Sequence, residues 1–211
     1  MDTTPTGATP PEVITSLLRD NVRNFLLIRH GQKEVRPEKD APEAPLTEVG
    51  REQARRLGER LQGLPLRAIL SSDLQRARET VDQVRSHHPD VPYEMREELR
   101  EIREMTWHTH FEDWPEEELA RRKEAGQKVL AVAEELKATY REGEVVAIIA
   151  HGNFHRALIA CLGGQDPFVT IPVKMHNASI TLVHVPDNGS PWIILSNDVS
   201  HLPRDLINAH P

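Results

Sequence analysis

Two histidines in this sequence sit in the same local context. The apolar run Phe25-Leu26-Leu27-Ile28 passes into Arg29-His30-Gly31, and Val145-Val146-Ala147-Ile148-Ile149-Ala150 passes into His151-Gly152. Short uninterrupted apolar runs are the pattern of strands buried on both faces of a parallel sheet. Open α/β sheets bind ligands beyond the carboxyl ends of their strands, so two such strands side by side bring His30 and His151 into one pocket. Glycine after each histidine permits a sharp turn and a close ligand approach. Two imidazoles beside the fixed charge of Arg29 suit work on an anionic group.

Helix and strand signals alternate along the rest of the chain, as a frame for such a site requires. An amphipathic helix is predicted over 11–22, leading into the first strand. After a proline-rich acidic loop at 32–45, Thr47 is placed to cap a helix running to about 62, with Val49, Ala54, Leu57 and Leu61 on its apolar stripe. A strand over 66–70 ends at Ser71-Ser72-Asp73 and leads into a helix to about 86. A third strand is expected over 91–95. Residues 96–114 read as irregular and carry Trp107, His108, His110 and Trp114. A long helix over 115–140 precedes the second histidine strand, and a helix over 153–162 follows it. Strands over 179–185 and 192–196, joined by Asp187-Asn188-Gly189, are expected at an antiparallel edge. The fold class is therefore α/β, a three-layer α/β/α sandwich with a mostly parallel central sheet. Residues 1–12 read as a loose tail and 13–211 as one domain.

At 211 residues, one domain can bury a core without staples. The formal charge of -7 argues against nucleic acid or an anionic membrane as a partner. It does not oppose a small phosphorylated ligand, because a few arginines set the potential inside a pocket. Cys161, the single cysteine, excludes an intrachain disulfide and lies in an apolar stretch that reads as core. No apolar run approaches the ~20 residues of a membrane span. The first residues lack the features of a secretory signal, so a cytoplasmic location is expected.

Leu27-Ile28-Arg29-His30-Gly31 resembles the signature of the histidine phosphatase superfamily, in the branch of phosphoglycerate mutases and small-metabolite phosphatases such as alpha-ribazole phosphatase. The likeness continues in order through Leu46-Thr47, Gly50 and Gln53-Ala54, then Ser71-Ser72-Asp73-Leu74-Gln75-Arg76-Ala77 with Thr80. It extends to Leu99-Arg100-Glu101-Ile102, Ala150-His151-Gly152, Asn177-Ala178-Ser179-Ile180, and Asn197-Asp198 through His201-Leu202.

The resemblance implies the phosphoglycerate mutase-like fold and a set of roles. His30 is the nucleophile that becomes a phosphohistidine. Arg29, Arg76 and His151 hold the phosphoryl oxygens. Glu101 is the general acid, chosen from an acidic cluster with Glu97, Glu98 and Glu104. Gly31, Gln32, Gly152 and Asn153 line the substrate, and no cofactor is required. Arg78 is the alternative to Arg76. The histidines His108, His110 and His155 lack the spacing of a zinc site, and no metal is expected. Arg121-Arg122-Lys123 reads as a solvated helix face. Around Arg103-Glu104-Met105-Thr106-Trp107-His108, and at Val35-Arg36, the chain departs from the family pattern, which leaves the substrate open. The expected activity is metal-independent hydrolysis of a small phosphorylated metabolite. Alternatives are mutase-type phosphoryl transfer and a phosphate-binding scaffold without turnover. A homodimer is left open.

Overall fold

The structure, a computed structural model, describes residues 11–35, 43–102, 115–166 and 171–207. Among these, five α-helices alternate with six strands: α1 (Pro11–Leu17), β1 (Arg23–Arg29), α2 (Glu48–Leu61), β2 (Leu66–Ser72), α3 (Gln75–Arg85) and β3 (Tyr93–Arg96). A 3-10 turn, Glu97–Leu99, follows, then α4 (Glu116–Thr139), β4 (Val145–Ala150), α5 (Gly152–Leu162), β5 (Ile180–Val185) and β6 (Trp192–Asp198). The strands form one sheet in the order β3-β2-β4-β1-β5-β6. The first four strands pair in parallel, while β5 is antiparallel to both β1 and β6 and alone runs in the reverse direction.

Strand alternation divides the apolar runs between two cores. Phe25 and Leu27 of β1 join Val146 and Ile148 of β4 against Val132 and Leu136 of α4 and Leu158 of α5. Leu26, Ile28, Ala147 and Ile149 point the other way, against Ile14, Leu57, Leu61, Ala77 and Val81 of α1, α2 and α3. The central strands are therefore apolar over 25–28 and 145–150, and the sheet lies between two helical layers.

Several boundaries differ from expectation; β3 covers Tyr93–Arg96 instead of 91–95, and β6 runs to Asp198 instead of 196. The first helix stops at Leu17 instead of continuing to 22, because Asn24 captures the next turn. Its Oδ1 accepts the Arg19 amide at 3.0 Å, and its Nδ2 donates to the Arg19 and Val22 carbonyls at 2.9 and 3.1 Å. Strand β2 runs past 70 to Ser72, since Ser71 and Ser72 still pair with Met95 and Arg96 of β3. The helix after Asp73 starts later than predicted, at Gln75. Thr47 caps α2 as its type predicts, with Oγ1 accepting the Gly50 amide at 3.0 Å. Arg122 corrects the reading of a solvated 121–123 face: Arg121 and Lys123 are exposed but Arg122 is buried.

Candidate active site

Register brings the two histidines together. Arg29 of β1 lies opposite Ala150 of β4, and the His30 amide donates to the Ala150 carbonyl at 3.0 Å. The next residue on each strand is thus a histidine, and the two ring centroids are 5.0 Å apart. From this point β1 continues into α2 on one face of the sheet, and β4 into α5 on the other. The divergence opens the crevice in which α/β sheets bind ligands.

The two ring contacts of His30 define its tautomer. Nδ1 lies 2.6 Å from the Gly31 carbonyl, which can only accept, so Nδ1 carries the hydrogen. Nε2 receives the Arg76 Nε–H at 3.2 Å, so Nε2 holds the lone pair. A neutral imidazole with that lone pair directed to the cationic side is the nucleophilic form. Burial, then the charges of Arg29 and Arg76, hold the His30 pKa well below the ordinary histidine range. Arg76 is 1% exposed and lies on His30, whereas the Arg78 side chain is partly exposed beside Glu43.

His151 occupies the N-cap position of α5, and its side chain turns away from the helix amides so that Nε2 meets Ser72 Oγ at 2.9 Å. Its Nδ1 is buried and has no hydrogen-bond partner among the described residues. Arg29 is tied by Nη1 to the Met175 carbonyl at 2.7 Å, while its Nε is likewise buried and unpartnered among them. Burial lowers the pKa of Arg29, opposed by the nearby carboxylate of Glu101. Two orphaned nitrogens beside a helix N-terminus form a ready cradle for the oxygens of a tetrahedral anion.

Glu101 reaches this cluster. Its Oε1 accepts the Ile102 amide at 3.0 Å and the Phe154 amide of the first turn of α5 at 3.1 Å. A carboxylate in that place completes the helix end and faces its positive dipole. Glu97 and Glu98 instead have side chains 73% and 58% exposed, while Glu104 lies outside the described residues. Glu101 also borders a cleft of about 570 Å³ between the 3-10 turn and α4, whose walls include Glu97, Glu98, Arg100, Arg121, Glu124 and Lys128.

The four expected lining residues divide. Gly152 faces the site: a Cβ there would lie 3.8 Å from Arg29 Nε. Gly31 instead packs against the start of α2, where a Cβ would meet the Gly50 carbonyl oxygen at 2.5 Å. Gln32 is bound to the same helix start, since its Oε1 accepts from Thr47 Oγ1 at 2.7 Å and its amide donates to Gln53 Oε1 at 2.8 Å. Asn153 uses its side chain within the protein, donating to the Ile102 carbonyl and accepting from Arg156. His155 is buried behind the site with Nε2 on the Ile28 carbonyl at 2.9 Å, which makes it part of the core. His108, His110 and Arg36 lie outside the described residues. Among the described residues no group of three or more His, Cys, Asp or Glu could hold a metal ion. Sequence reading gave no role to Ser72, Asn177 or Arg156. Asn177 donates to the His30 carbonyl at 3.0 Å. The available signal for Arg156 was a lone arginine in an otherwise apolar stretch of helix.

These features define an α/β protein with a cationic, two-histidine pocket at the carboxyl end of its sheet. The chain belongs to the histidine phosphatase superfamily (branch 1), whose profile matches residues 25–199. Over 193 residues it is 30% identical to the mitochondrial serine/threonine-protein phosphatase PGAM5 of Mus musculus, a match covering 88% of this chain and 66%, about two thirds, of that relative. Among solved structures, YhfR of Bacillus stearothermophilus is 29% identical with a TM-score of 0.65, covering 85% of this chain and 98% of its own. The mycobacterial glucosyl-3-phosphoglycerate phosphatase shares the fold at a TM-score of 0.65 and 23% identity, covering 83% of this chain and 99% of its own.

Proposed function

We propose that this protein is a phosphomonoesterase that hydrolyses a small phosphorylated metabolite through a phosphohistidine at His30, without a metal. The observation that carries the reading is the imidazole tautomer, with Nδ1–H held by the Gly31 carbonyl and the Nε2 lone pair against Arg76. Nε2 attacks phosphorus in line, and the Arg76 N–H turns from the imidazole to a phosphoryl oxygen. Arg29 Nε, His151 Nδ1 and the amides at the start of α5 take the other oxygens, supplying the charge stabilisation a metal ion gives elsewhere.

Glu101 protonates the departing alkoxide. It is a hydrogen-bond acceptor in the free protein. In this reading Glu101 carries the proton when the phosphoryl dianion is bound beside it. After alcohol departs, the same carboxylate takes a proton from water, hydroxide attacks the phosphohistidine, and neutral His30 is released with inorganic phosphate. The cleft beside Glu101 mixes carboxylates and cations with Ile102, Ala125 and Val129 and gives the leaving group room next to the acid. Relatives named as phosphatases of phosphoprotein and of a phosphorylated glucosylglycerate support hydrolysis.

Labelling tests the reading. A ³²P-phosphomonoester should leave acid-labile label on the peptide containing His30, and His30→Ala should lose both label and turnover. Full activity in that variant overturns the mechanism. With 3-phosphoglycerate and catalytic bisphosphoglycerate, phosphate release is expected in place of isomerisation; efficient isomerisation without release would make the protein a mutase.

A further inference from the structure

Helix α5 is apolar through Ala157, Leu158, Ile159, Ala160, Cys161 and Leu162, yet it carries Arg156 at only 8% exposure. A buried guanidinium is costly unless its donors are used. Two contacts of Arg156 run in different directions from one planar fork. Nη1 donates to Asn153 Oδ1 at 2.9 Å, and Nε donates to the Val173 carbonyl at 2.8 Å. The first contact fixes the Asn153 amide, because a guanidinium can only donate. Its Nδ2 is thereby directed to the Ile102 carbonyl at 3.1 Å. Ile102 is the residue that follows Glu101, and its amide binds Glu101 Oε1. The second contact holds the segment that, two residues later, presents the Met175 carbonyl to Arg29 Nη1 at 2.7 Å.

We infer that Arg156 is a positioning residue: its fork holds the Glu101 segment, through Asn153, in register with the strap that orients Arg29. The inference rests on the reading of Glu101 as the general acid. Proton donation and phosphoryl binding then both depend on the orientation set by one side chain. Charge alone does not supply this. Lysine at 156 keeps a positive charge beside Glu101 but lacks the rigid pair of donors that meets Asn153 and Val173 together.

The test uses leaving groups of different need. A p-nitrophenyl ester leaves without a proton, whereas an alkyl phosphate requires one. Glu101→Gln sets the reference, with alkyl turnover falling ~10²–10⁴-fold and phosphorylation by the aryl ester much less. Asn153→Ala cuts only the acid arm. It should lose alkyl turnover on the order of 10²-fold, the scale of a roughly 1 Å misplacement. Its aryl burst and its inhibition constant for inorganic phosphate should stay near wild type. Arg156→Lys cuts both arms and should add a several-fold weaker inhibition by phosphate. In the Asn153→Ala/Glu101→Gln double variant, alkyl turnover should fall no further than in Glu101→Gln alone.

If Glu101→Gln is selective while Asn153→Ala is wild type or hits both esters alike, Arg156 has no such role. If Glu101→Gln itself loses both esters equally, the acid assignment fails and takes the inference with it. Should Arg156→Lys not fold, Asn153→Ala alone decides.

Discussion

Gly31 and Gly152 each follow a histidine, but the structure assigns them different work, and alanine at each position separates the two. In Gly31→Ala the new Cβ meets the Gly50 carbonyl oxygen at 2.5 Å, with the Gly50 carbonyl carbon at 3.2 Å. Both are backbone atoms of α2 and cannot swing aside. To reach an ordinary C···O separation of ~3.3 Å, the end of β1 and the start of α2 must part by roughly 0.8 Å. Overpacking of this kind costs about 1–3 kcal/mol, which in a chain of this size lowers Tm by roughly 2–12 °C. The displaced carbonyl of residue 31 is also the one that orients His30, so kcat should fall ~10²-fold with it. In Gly152→Ala the Cβ finds Arg156 Nη1 at 3.5 Å and Arg29 Nε at 3.8 Å, which are ordinary contacts. At the first position of α5 alanine is also a better helix former than glycine. Tm should hold or rise slightly. The methyl nevertheless occupies the side from which a phosphoryl oxygen would approach Arg29 Nε to ~2.9 Å. Inhibition by inorganic phosphate should weaken more than about 10-fold, the scale of one lost charge-assisted contact. Thermal unfolding and phosphate inhibition of p-nitrophenyl phosphatase activity measure both arms. A neutral Tm for Gly31→Ala, or a destabilised Gly152→Ala with unchanged phosphate inhibition, would refute this division.

Other outcomes follow from the same groups. Burial lowers the pKa of His155 and His201 to about 4 and holds His30 and His151 well below the usual range. The folded state keeps these rings neutral while the unfolded chain takes up protons, so stability is lost as pH falls below about 6.5. Between pH 6.5 and 5, His155 and His201 should each cost about 1.5 kcal/mol; a urea midpoint unchanged across that interval would contradict their burial as neutral rings. Arg29→Ala, Arg76→Ala and His151→Ala should each reduce kcat on the order of 10²–10³-fold, with non-additive combinations because they grip one group. Arg78→Ala should match wild type in the same assay, and the reverse pattern would move the phosphoryl site. Activity should survive prolonged chelation and be inhibited by vanadate; an EDTA-inactivated enzyme restored by zinc would return His108 and His110 to consideration as ligands. Burial pushes the Cys161 thiol up to about 11, so a thiol reagent should react only after unfolding. Rapid titration of the native protein would show that α5 opens.

Much of the frame was legible in the chain because its signals are local. A strand buried on both faces must be apolar at every interior position, so β1 and β4 announce themselves as runs, and the histidines that end them stand out. Thr47 before an apolar stripe is likewise a local instruction, since a helix start needs a side-chain acceptor. The family motifs pointed to the segments that carry Glu101 and the arginines. Which member of each cluster serves was a matter of tertiary geometry. Arg76 and Arg78 are two residues apart on one helix, and only the packing of α3 on the sheet turns the first inward and the second to solvent. Glu101 differs from Glu97 and Glu98 because the chain there meets the amides of α5, a helix that starts some fifty residues later. Gly31 reads as a ligand-facing glycine until α2 is docked against it, when the Gly50 carbonyl supplies the reason. Arg156 stands out only as an arginine in an apolar helix: Asn153 is its neighbour on α5, but Val173 lies on a segment that only the folded chain brings to it. Apolar periodicity depends on an element's own neighbours and can be read along the chain; the orientation of a charge in a pocket depends on which elements surround it, and that is decided by packing.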